Sequence, residues 1–133
     1  MILFQNILIV ALAGAVGGTA RFLISGLIAR RIGERFPWGT LVVNVSGALA
    51  IGALAALLPE SDAEADGTVR LWLALVVGVL GSYTTVSSFS LQTLMLIRER
   101  ELRHAVLNIV GSVILCLTAA SVGYFSTLWF LGI

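Results

Sequence analysis

At 133 residues, with 59% hydrophobic and only 11% charged side chains, the chain is far too apolar for an ordinary water-soluble domain. Each crossing of a bilayer core of about 30 Å takes roughly 20 apolar residues, so this length holds four crossings and short loops, with no soluble domain. The net charge of +1 says little about nucleic acid, because the arginines are scattered over the loops and form no basic stripe, and no nucleic-acid partner is expected.

The first apolar segment, about residues 4–28, starts without a basic leader and stays apolar for more than twenty residues. It reads as a first span and not as a removable signal peptide. A loop with Arg30, Arg31, Glu34, Arg35 and Pro37 follows, then a second span at about 39–58. Pro59, Glu60, Asp62, Glu64, Asp66 and Arg70 form the second loop, and the third span covers about 71–97. The third loop holds Arg98, Glu99, Arg100, Glu101, Arg103 and His104, and the fourth span covers about 105–130. Pro37 and Pro59 stand at span borders, where a missing amide and a restricted preceding residue end helices. The expected fold is therefore an all-α membrane protein, one domain of four transmembrane helices over 1–133.

All seven carboxylates fall in the loops, so no span carries an acid. Proton- and cation-coupled exporters need an intramembrane carboxylate to carry the coupling charge, and its absence argues against a small multidrug exporter. Because loops alternate across a membrane, Arg30, Arg31, Arg35, Arg98, Arg100 and Arg103 share one side and Arg70 is alone on the other. The positive-inside rule places the first and third loops in the cytoplasm and both termini outside. Cys116 lies alone in an apolar run, and His104 sits at a loop border as a solvated side chain, so neither a disulfide framework nor a metal cluster is available. With no ATP motif and no catalytic constellation, an enzyme is not expected.

The third span is the unusual one. As a continuous helix its 27 residues would reach about 40 Å, yet Gly81 opens a run in which Ser82, Tyr83, Thr84, Thr85, Ser87 and Ser88 all carry hydroxyls. Such side chains can bond back to carbonyls one turn earlier in an intact helix. So dense a run instead predicts a break near the middle, where bared carbonyls and amides can bind ions.

Three stretches carry a family resemblance. Gly14-Ala-Val-Gly17-Gly18-Thr-Ala-Arg21-Phe22, then Gly39-Thr40-Leu-Val-Val-Asn44-Val-Ser-Gly47, then Gly81-Ser-Tyr-Thr84-Thr85-Val86-Ser87-Ser88-Phe89-Ser90 follow one another in order over nearly the whole chain. Together they resemble the Fluc (CrcB) fluoride-channel family. The resemblance implies an antiparallel dimer that conducts fluoride passively out of a prokaryotic cell across the plasma membrane. It further implies a structural Na+ at the dimer interface, held by backbone carbonyls of Gly81 and Thr84 from both subunits. Asn44 corresponds to the family's pore asparagine, able to donate to a dehydrated anion or, alternatively, to tie two helices together. Phe89 matches the second phenylalanine of an aromatic pair whose ring edges face the anion. Val86 stands where the first is usual, and valine has no such edge.

Asn108, Ser112 and Cys116 recur at i, i+4 and i+8 of the fourth span and align roughly with the family's polar track, normally a tyrosine and two serines, from which Asn108 and Cys116 depart. Thr85 and Ser88 add hydroxyl donors to this anion pathway. Arg21 either concentrates anions at a vestibule or snorkels to the interface. Family members commonly insert in both orientations, which requires little arginine bias. The six-to-one bias here points to a subunit of fixed orientation, so the partner in the lipid bilayer is either a second copy or an oppositely oriented homologue. A non-conducting structural or regulatory subunit is the alternative function.

Overall fold

In lipid, a single stretch of chain can satisfy its own backbone groups only as a helix, and each apolar segment is helical. The computed structural model describes residues 1–33, 35–58 and 67–132. Glu34 and the second-loop residues Pro59, Glu60, Asp62, Glu64 and Asp66 lie outside the described residues. Helix α1 spans Ile2–Ile32 and α2 Trp38–Leu57. The third span begins as α3 (Gly67–Trp72), continues as a π-helix over Leu73–Leu80, and closes its first half with α4 (Gly81–Tyr83). After an interruption at Thr84 and Thr85 it resumes as α5 (Val86–Arg98), and α6 covers Leu102–Leu131. Four helical stretches, Ile2–Ile32, Trp38–Leu57, Gly67–Arg98 and Leu102–Leu131, are long and apolar enough to cross a membrane.

The helices reach further into their polar flanks than the hydropathy pattern alone predicts. Arg30 and Arg31, read as loop residues, complete the last turn of α1, and Arg98 lies in that of α5. Positive charge there offsets the partial negative charge of a helix C-terminus. The third span also breaks later than expected. Gly81 keeps right-handed helical angles, whereas Thr84 and Thr85 are extended.

Small residues set the packing. On α2 and α6 a Cβ added at Gly52 would overlap the Ala120 carbonyl, and one added at Gly123 would overlap the Leu49 carbonyl. Each helix thus presses its backbone into a gap left by the other's glycine, the close approach that drives association where lipid removes the hydrophobic contrast. Gly17 of α1 receives the Val79 carbonyl of the π-helix in the same way. What becomes buried is polar as often as apolar: Thr40, Thr85, Thr93, Asn108 and Ser112 beside Leu41, Val43, Leu96 and Ala105. Outward positions such as Phe22, Leu117, Phe125 and Phe130 are apolar and exposed.

The first and third loops meet at one end. The Phe36 ring stands edge-on to His104 with centroids 6.2 Å apart, and Arg35 and Pro37 share a cleft with Gln92, Met95 and Glu99. The turn into α6 is tight: the Glu101 amide donates to the Leu96 carbonyl and the Arg100 amide to that of Ile97. Arg100 takes the left-handed position (φ 63°) that this closure requires. Cysteines substituted at Phe36 and Glu101 are therefore expected to react with a membrane-impermeant maleimide from one side, and a cysteine at Leu131 from the other.

Candidate functional site

The break in the third span is held open from outside. The Asn44 side chain on α2 donates from Nδ2 to the Thr85 carbonyl at 2.9 Å and accepts the Thr85 amide on Oδ1 at 2.8 Å. This two-way pairing stands in for a strand neighbour and satisfies both backbone groups of a buried residue in extended conformation. Thr85 in turn caps α5: its Oγ1 accepts the Ser88 amide at 3.2 Å and is bonded to the Ser87 and Ser88 hydroxyls at 3.1 and 3.2 Å.

Because the Thr85 amide is taken by Asn44, the Gly81 carbonyl loses its helical partner. The Thr84 carbonyl likewise loses the Ser88 amide to the cap, and receives Arg21 Nη1 at 3.5 Å instead. On the other side of the break, the amides of Val86 and Ser87 open the first turn of α5, where a helix provides no acceptor. Half-way along one span the chain therefore presents a carbonyl end and an amide end together. The first suits a cation and the second an anion.

Two clefts flank the break, and Thr85 lines both. One, of about 240 Å³, gathers Arg21, Thr85, Ser87 and Ser88 against Ser25 and Thr40. The other, of about 370 Å³, gathers Asn44, Gly81, Thr84, Thr85, Val86 and Cys116. Asn108, Ser112 and Phe89 line neither. Asn108 is 2% exposed and donates from Nδ2 to Thr93 Oγ1 at 2.8 Å, while the Thr93 hydroxyl donates to the Phe89 carbonyl at 2.7 Å. This chain fastens α6 to α5 below the break. Ser112, one turn on, is buried as well, and Phe89 is half-buried. Val86 is 76% exposed and faces away from the protomer.

One polar residue in this region is not singled out by the sequence reading. Gln92 lies one turn beyond Ser88, and its buried Oε1 has no partner. The available signal was its spacing, since Thr85, Ser88 and Gln92 fall on one helical face of an otherwise apolar stretch. Among the described residues no cluster of His, Cys, Asp or Glu could hold a metal. A cation at the break would have to rely on carbonyl oxygens, a donor set that suits a hard ion. The Gly81 carbonyl fits that role directly, whereas the Thr84 carbonyl is shared with the Arg21 guanidinium.

A membrane-spanning helix broken at mid-length, with bare backbone ends and hydroxyls but no carboxylate, defines a protein that handles an ion inside the membrane. The family model described as "CrcB-like protein, Camphor Resistance (CrcB)" matches residues 8–124, and the chain belongs to that family as a multi-pass membrane protein. It is 52% identical over 122 residues to "Fluoride-specific ion channel FluC 2" of Rhodopseudomonas palustris, covering 92% of each chain. It is 48% identical over 122 residues to "Fluoride-specific ion channel FluC 3" of Brucella suis, covering 92% of this chain and 91% of the relative. To "Fluoride-specific ion channel FluC" of Opitutus terrae it is 50% identical over 118 residues, 88% of each.

Replacing Asn44 by alanine strands the Thr85 amide and carbonyl together, at about 1–3 kcal/mol for each unsatisfied buried group. Asn44→Ala is therefore expected to lower the thermal unfolding temperature of the detergent-purified protein clearly, and Asn44→Asp, which sets a buried carboxylate against the Thr85 carbonyl, to lower it at least as much.

Proposed function

We propose that this chain is a subunit of a fluoride-selective channel, through which fluoride leaves the cell passively across the plasma membrane and its cytoplasmic level falls. The observation that carries the reading is the amide end of α5 half-way along the third span, ringed by hydroxyls, in a chain whose spans contain no carboxylate. Fluoride is small and tightly hydrated, so a path through a membrane must replace its water with close donors. The amides of Val86 and Ser87, the hydroxyls of Thr85 and Ser88 and the second N–H of Asn44 supply them at the break. Asn108, one of whose N–H groups is already given to Thr93, and Ser112 extend the set along α6, and Phe89 adds an electropositive ring edge. Arg21 lines the cleft on the α1 side and raises the local anion concentration there. Donors spread over many residues hold the ion weakly enough for it to move on.

The non-conducting alternative is not favoured by relatives whose names are those of channels. The test is fluoride efflux from reconstituted vesicles, by this chain alone and with an oppositely oriented homologue. Flux above that of empty vesicles is expected, with Val86→Phe increasing it by restoring the missing ring edge. Flux at background in both preparations would overturn the reading.

The functional unit in this reading is an antiparallel dimer. Gly81, Val86, Ser87 and Ser90 are exposed on the protomer, and a row of backbone and hydroxyl groups facing lipid is unfavourable unless a second subunit covers it. A structural Na+ between the two copies, on Gly81 and Thr84 carbonyls from each, would satisfy the Gly81 oxygen that the break leaves bare and share the Thr84 oxygen with Arg21. The six-to-one arginine bias supports a single orientation with the first and third loops in the cytoplasm, which the same maleimide labelling in whole cells reads out. The partner is then either a homologue of opposite bias or a second copy forced to invert. Exchanging sodium for a large organic cation during purification is expected to shift the protein from dimer to monomer on size-exclusion chromatography. A dimer unchanged by that exchange argues against the sodium.

A further inference from the structure

A third cleft, of about 480 Å³, lies apart from the break, at the end where the first and third loops meet. Helix α2 packs against both α1 and α6, and Leu41 forms part of the cleft between them. Its remaining wall is graded. Arg35 and His104 stand at the loop end, Trp38 follows, and Leu107, Gly111 and Leu115 continue down α6. From His104 to Leu115 a helix rises about 16 Å. That is close to half of a bilayer core of about 30 Å, the depth of one leaflet.

Gly111 makes this a trough. A Cβ added there would meet nothing within 4 Å, in contrast to Gly39, Gly52 and Gly123, which back onto carbonyls. The missing side chain leaves an apolar channel open where the helices could have closed it. Charge is matched to position as well. The loops at this end carry six arginines against three glutamates. Glu101 Oε2 holds His104 Nδ1 at 3.1 Å and Glu99 lines the adjoining cleft with Arg35, but the Arg35 guanidinium makes no ion pair among the described residues.

We propose that this cleft is a binding site for one anionic phospholipid, with an acyl chain lying along Leu107, Gly111 and Leu115 and the phosphodiester at Arg35. An apolar trough one leaflet deep, topped by an interfacial tryptophan and a cation with no ion pair among the described residues, fits that molecule by length and by charge. The lipid would fasten the first loop to α6 at the membrane surface. The site stands on the membrane placement alone and is independent of which ion the protein conducts.

Trp38 serves as the reporter, because Trp72 and Trp129 belong to the opposite end of the molecule. The full chain carrying Trp72→Phe and Trp129→Phe is reconstituted in mixed phosphatidylcholine and phosphatidylglycerol vesicles in which one lipid or the other bears brominated acyl chains. Brominated phosphatidylglycerol is expected to quench Trp38 with an apparent association about fivefold above that of brominated phosphatidylcholine, the effect of one basic residue near a charged leaflet. Arg35→Gln should erase the preference and Gly111→Leu should reduce quenching by both lipids. Equal quenching by the two lipids would mean an ordinary lipid annulus, and no quenching by either would mean that a protein surface such as a second copy covers the trough; both overturn the proposal. Native mass spectrometry of the protein with all three tryptophans intact gives an independent reading. A phosphatidylglycerol adduct is expected for it and not for Arg35→Gln, and an adduct of equal abundance on both counts against the site.

Discussion

Everything at the centre of this molecule depends on one side chain satisfying two backbone groups at once. In lipid an interrupted helix is tolerable only if something else takes up the hydrogen bonds it drops. Asn44 does so for Thr85 in both directions, and an amide is the one uncharged side chain with a donor and an acceptor at the right separation. Once Thr85 is held extended, the rest follows locally. Its hydroxyl caps α5, the Gly81 carbonyl loses its helical partner, the Thr84 carbonyl turns to Arg21, and the first amides of α5 are presented beside them. Asn44 is thus first a fastening for the break: of the two roles open from the sequence, tie and anion donor, the structure shows the tie.

The glycines do a complementary job. A break in one helix is positioned only as well as the helices that flank it, and the backbone-to-backbone seats at Gly17, Gly52 and Gly123 leave little freedom to slide. With Thr40, Thr85, Thr93, Asn108 and Ser112 buried beside Leu41, Val43, Leu96 and Ala105, the interior is polar as often as apolar. Away from water a buried hydroxyl or amide needs a partner, which Asn108 finds on Thr93 and Thr93 on the Phe89 carbonyl, while Gln92 Oε1 has none within the protomer.

Much of this was legible in the sequence because hydropathy is a local property. Four spans, their polar joints and the strangeness of the third all follow from composition read in windows. The density of hydroxyls after Gly81 announces an interruption. Its placement at Thr84 and Thr85 was not legible, because glycine enters a helix as readily as it leaves one and the residue that fixes the break lies 41 positions away on another helix. For the same reason the pattern of Asn108, Ser112 and Cys116 showed a shared face but not that Asn108 is already committed to Thr93. Gln92 was passed over because a single amide in an apolar run looks like any other helix contact, and only its unpartnered oxygen distinguishes it.

The π-helical stretch Leu73–Leu80 has a mechanical meaning of its own. Each wide turn takes up more residues than an α-helical one, so winding and unwinding a π turn absorbs an inserted or deleted residue without moving what lies beyond it. Placed between the second loop and the break, such a stretch acts as slack. It can take up a residue on the second-loop side while Gly81 and everything after it stay in phase with Asn44.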